Sequence, residues 1–82
     1  MGDIMISKPF FVRAEWDEEA KVWVATSDDV PGLATESDTI ESLISKLKTI
    51  IPELLSENGI EQHNEIPFEV ITRRFETVSA LA

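Results

Sequence analysis

The side chains able to do chemistry in this 82-residue sequence are few in kind. Cysteine and tyrosine are absent, and His63 is the single histidine. Without cysteine there is no thiol nucleophile, no disulfide and no thiolate metal site. His63 stands in Glu61-Gln62-His63-Asn64-Glu65, where metal-capable side chains cluster. Their spacing matches no ligand motif, and the stretch reads as a solvated polar linker. Carboxylates remain, gathered as Asp17-Glu18-Glu19 and Asp28-Asp29. Such groups hydrolyse substrates when they converge around two metal ions about 4 Å apart. These two groups fall on successive turns, where acidic residues are common as turn formers and as solubilising charge. The sequence predicts no catalytic residue, no metal ligand and no cofactor.

The same carboxylates dominate the electrostatics. Sixteen Asp and Glu oppose seven Lys and Arg, for a net charge of -9. Most of the excess lies in residues 15–41, with nine acidic residues and one basic. That balance disfavours gripping nucleic acid, which depends on neutralising phosphates with Lys and Arg. Arg73-Arg74, the one basic pair, would point to opposite faces of a strand and pair with nearby carboxylates. An acidic surface suits a partner with a basic one, reached by fast, salt-sensitive association. Asp17, Glu18, Glu19, Asp28 and Asp29 are the candidate partner-binding residues. Solvated loop charge is the competing explanation.

Positioning these groups falls to five elements. Phe10, Val12, Ala14 and Trp16 alternate with Phe11, Arg13 and Glu15, the period of a half-buried strand. Residues 17–20 interrupt it, residues 21–26 resume a β-prone run, and a hairpin follows. Val30-Pro31-Gly32 predicts a tight turn, with Gly32 at positive φ, before a short third strand over residues 33–36. Asp38 and Glu41 have the spacing of a capping box opening a helix. Ile40, Leu43, Ile44, Leu47, Ile50, Ile51, Leu54 and Leu55 form its apolar stripe, and Asn58-Gly59 is its stop. At Pro52 the helix either kinks or gives way to a second short helix, and the unbroken stripe favours one kinked helix. Residues 68–75 alternate as a last strand, and residues 77–82 are a tail free to fray.

The expected fold is a single two-layer α+β domain over residues 1–82, with a core over about residues 8–75 and the order β-β-β-α-β. At 43% hydrophobic, the chain is too apolar for intrinsic disorder. One sheet face must receive the helix stripe. The other is left with apolar residues, so Phe11, Trp23, Ile71 and Phe75 are the candidate interface of a homo-oligomer, dimer or higher. No apolar run approaches the roughly 20 residues of a membrane span. The N-terminus lacks the basic start and apolar segment of a secretion signal, and a cytoplasmic protein is expected.

The acidic hairpin, the Asp29-Val30-Pro31-Gly32 turn, the Thr35-Glu36-Ser37-Asp38-Thr39 run and the amphipathic helix after it follow in fixed order. Together they resemble the HicB family, the antitoxin half of HicA–HicB toxin–antitoxin pairs. Ile51-Pro52-Glu53-Leu54-Leu55 and Glu57-Asn58-Gly59 bring the chain nearer to a short HicB-like subgroup known as a domain of unknown function. The resemblance implies a partial ribonuclease-H-like fold: a three-stranded antiparallel sheet, a long helix packed on one face, and a fourth strand alongside. It implies a non-catalytic module that docks and masks HicA, a small basic RNA-cleaving toxin. HicB proteins usually add a C-terminal DNA-binding segment; this sequence ends just after its last strand, and operator binding is not expected of it. A stand-alone homo-oligomer without a toxin is the alternative. A metal-dependent nuclease built on the two acidic turns is the third reading, suggested by the fold family.

Overall fold

The computed structural model describes residues 8–60, 62 and 64–81. Four strands and one helix run in the order β1 (Phe10–Asp17), β2 (Val22–Thr26), β3 (Ala34–Ser37), α1 (Ile40–Glu57) and β4 (Phe68–Arg73). The expected β-β-β-α-β architecture is present. In the sheet the strands lie β3-β2-β1-β4. β1–β2 and β2–β3 pair antiparallel, whereas β4 joins β1 in parallel, so the sheet is mixed. A parallel neighbour cannot be reached by a tight turn, and α1 makes the crossing from one sheet edge to the other.

Alternation along each strand fixes the two faces. Val12, Ala14 and Ala25 are fully buried on the helix side, next to the half-buried Phe10, Phe68 and Val70. Leu43, Leu47, Ile51 and Leu55 recur at the spacing of one helix face and are buried against them. Val30 and Leu33, from the loop between β2 and β3, close the same core. Their placement follows from the predicted turn. Gly32 has φ +79° behind Pro31, and Leu33 N–H donates to Val30 C=O at 3.2 Å. Proline second and a positive-φ glycine third are the marks of a type II turn.

The helix ends differ slightly from the sequence expectation. Thr39, not Asp38, is the N-cap, and its hydroxyl accepts from Ser42 N–H at 3.0 Å. Ser42 therefore stands where the capping box placed Glu41, because the helix starts one residue later. Ser42 Oγ also meets Ser37 Oγ, linking the end of β3 to the first helical turn. One helix continues through Pro52, which is exposed. Its far end is a Schellman motif: Ile60 N–H donates to Leu55 C=O at 2.8 Å and Gly59 N–H to Ser56 C=O at 3.1 Å. Gly59, at φ +72°, is the predicted stop.

Residues 74–81 have no regular secondary structure and are exposed, so the last strand ends two residues before the sequence expectation. Removing a side chain from the core should be felt far more than removing one from the open face. Leu47→Ala is expected to lower unfolding stability in urea by about 3 kcal/mol. Ile71→Ala at low protein concentration should change it by less than about 0.5 kcal/mol. Equal losses would contradict this assignment of faces.

Candidate functional site

The first acidic group closes the β1–β2 hairpin. Asp17 Oδ1 accepts from Glu19 N–H at 3.0 Å and Ala20 N–H at 3.2 Å, while Lys21 N–H donates to Asp17 C=O at 2.7 Å. Lys21 takes the left-handed conformation, φ 60°, to complete the turn. Glu18 folds back over the hairpin and accepts from Trp16 Nε1 at 2.7 Å and from the Lys21 ammonium. The bond from Lys21, then that from Trp16, then the Lys21 charge hold its carboxyl below the ordinary 4.5. Trp16 lies directly opposite Trp23, ring centroids 5.3 Å apart and edge to face. The Arg74 guanidinium sits 4.3 Å from the Trp16 ring centroid and 5.9 Å from that of Trp23. Glu76 holds Arg74 through a 2.5 Å contact to Nε.

The second acidic group works at the other end of the same hairpin. The β1–β2 ladder ends at Arg13–Thr26, which leaves the backbone of Phe11 without a strand partner on that side. Ser27 Oγ donates to Phe11 C=O at 2.5 Å, and Asp29 Oδ2 accepts from Phe11 N–H at 2.7 Å. Ser27 Oγ also accepts from Asp29 N–H and Val30 N–H. Two side chains thus extend the ladder by one residue and aim Val30 into the core. Asp28 is exposed and lies 3.9 Å from Arg13. Six residues of strand put the two acidic turns about 20 Å apart.

The sheet face away from α1 is open. Phe11 is 37% and Ile71 45% exposed, and the register sets them diagonally across β1 and β4. The half-buried Val22 and Val24 share this face by alternation. β4 is an edge strand, and beyond it Phe75, Val78 and Leu81 are 85%, 93% and 99% exposed.

A family model for a domain of unknown function, DUF1902, matches residues 9–80. This chain belongs to the DUF1902 family. The DUF1902 domain thus takes in the exposed segment after β4 as well as the sheet and helix. A solved structure, titled as hypothetical protein TTHA1013 from the extremely thermophilic bacterium Thermus thermophilus, is 49% identical to it. That match covers 88% of this chain and 99% of the other, with a TM-score of 0.68. No curated protein matches.

Several expectations about this DUF1902 chain need correcting. Asp17, Glu18, Glu19, Asp28 and Asp29 do not form one surface; the hairpin divides them between its two ends. Asp17, Glu18 and Asp29 are occupied in holding turns, and the exposed Glu19 and Asp28 are the freest of the five. The separation also keeps the two groups from converging on a shared pair of ions. Among the described residues no three His, Asp or Glu side chains come together as a metal site, and His63 lies outside those residues. Trp23 belongs to the helix side of the sheet, because it alternates in step with the buried Ala25. Phe11 and Ile71 are on the open face as expected, and Phe75 lies past the end of β4. The tryptophan–arginine stack was legible in part: Arg74 alternates with Arg73 onto the side of Thr72 and Trp16. The Ser27–Asp29 clamp on Phe11 has no sequence signal beyond turn composition.

Glu18 gives the hairpin end a measurable signature. Its carboxyl should titrate by NMR with a midpoint below 4.5, and Lys21→Met should move that midpoint upward. The stabilisation it provides is present above the unfolded-state value and fades as pH falls through the lowered one. An unchanged midpoint in the variant would contradict the contact.

Proposed function

We propose that this DUF1902 chain is a non-catalytic protein-binding module of antitoxin type, cytoplasmic, that docks and masks a small basic RNA-cleaving protein of the HicA kind. The observation that carries the binding role is the open sheet face beside the free edge of β4, with Phe11 and Ile71 exposed on it. Apolar residues on an uncovered face next to an unpaired strand edge suit a protein partner better than a small molecule. The partner class rests on the HicB likeness of residues 16–39 and on the concentration of negative charge there. With the acidic turns at both ends of the hairpin, their field would draw in a basic protein, while contact is made on the apolar surface between. No step of catalysis is assigned to the carboxylates, three of which are spent on turn geometry.

A second reading is a homo-oligomer without a toxin. The same exposed Phe11 and Ile71 favour it.

Co-expression with a small basic HicA-like protein tests the first reading. A stable complex should form, and RNA cleavage by the partner should stop. Raising ionic strength from about 0.01 to 0.15 M should slow association at least about tenfold. Glu19→Lys with Asp28→Lys should slow it further without unfolding the chain, since neither carboxylate holds a turn. Recovery of the chain free of such a partner, or an association rate indifferent to salt, would contradict the reading.

A further inference from the structure

We propose that residues 74–81 form an arm exchanged between two copies of this chain, each arm covering the open sheet face and β4 edge of the other. This deepens the second reading above and commits it to a geometry. Phe75, Val78 and Leu81 are almost fully exposed, on a segment without regular secondary structure beyond the sheet. Yet the family domain runs to residue 80, so the arm is part of the module and not an appendage to it. Three large apolar side chains on such a segment need an apolar acceptor, and the open face around Phe11 and Ile71 is one.

Charge is compatible with a second copy as the occupant, because the arm is its neutral part. The chain carries -9, so most of its surface repels its own kind. The open face carries Arg13 and Arg73 against Glu15, Asp17, Glu36 and Glu69, whereas the arm balances Arg74 against Glu76. The arm is thus neutral and can lie on the face of a second copy without setting like charge against it.

Size agrees. The arm has eight residues, and the outward positions of β1, β2 and β4 supply eight more, Phe11 to Glu15, Val22, Val24 and Glu69 to Arg73 by alternation. With two-fold symmetry each copy contributes both sets, approaching the roughly 20 residues a side of a standard interface. Arg74, pinned over Trp16 and tied to Glu76, sets the direction in which the arm departs.

Sedimentation of the full chain between about 1 and 100 µM tests the proposal, with two variants. One is Phe75→Ser with Val78→Ser and Leu81→Ser, which alters only the arm. The other is Ile71→Glu, which alters only the face. Wild type should be a dimer at about 10 µM, and each variant should weaken dimerisation about 100-fold or more with an unchanged circular dichroism spectrum. An equimolar mixture of the two variants retains one intact arm–face contact and should associate more tightly than either alone. A monomeric wild type, an arm variant that dimerises like wild type, or a mixture no tighter than its components would each overturn arm exchange. A chain that dimerises but binds no basic partner would remove the antitoxin reading and leave this one standing.

Discussion

Everything in this molecule depends on how closely one helix can approach one face of the sheet. Ala14 lies directly opposite Ala25 in the antiparallel hairpin, and both are fully buried. Two methyl groups there leave room for Leu43, Leu47, Ile51 and Leu55 to enter the same cluster with Val12 and Val30. Close packing of this kind gives a small domain most of its stability, and it admits the helix on one side only. The open face, the exposed edge and the free arm all follow from that choice. Among the described residues there is no second helix to cover them.

The acidic charge takes a different meaning once it is placed. Five carboxylates close together in sequence become two groups at opposite ends of a hairpin. Asp17 and Asp29 serve as backbone acceptors that finish turns, and Glu18 latches Trp16 to Lys21. Such carboxylates cannot also be freely spent on a partner. What remains is a negative field at the two hairpin ends, on either side of the open sheet face. On the proposed function, steering and contact fall to different surfaces of one molecule.

Most of the fold was legible in the sequence because local and long-range demands agree. The alternation of residues 10–16, the helix stripe, the Pro31-Gly32 turn and the Gly59 stop each admit one structure, and each is found. The misreadings have physical causes. Asp38 and Thr39 are both good caps, and only the bond from Ser42 N–H to Thr39 decides between them. Trp23 is bulky and aromatic, which says nothing of its face; its register opposite Trp16 does. The parallel docking of β4 and the clamp on Phe11 depend on contacts between residues far apart in sequence, which local pattern cannot supply. The exposure of Phe75 was equally invisible, since its alternation with Thr72 and Arg74 reads as the end of a strand.

The central claim is that the working surface is the sheet face away from the helix, with the β4 edge and the arm. Hydrogen exchange of the full chain, followed from about 1 to 100 µM, tests it most directly. The account predicts protection rising with concentration in β4 and residues 74–81, while the hairpin turn at residues 17–21 stays unchanged. Protection that is independent of concentration, or that rises first at the hairpin turn, would contradict it.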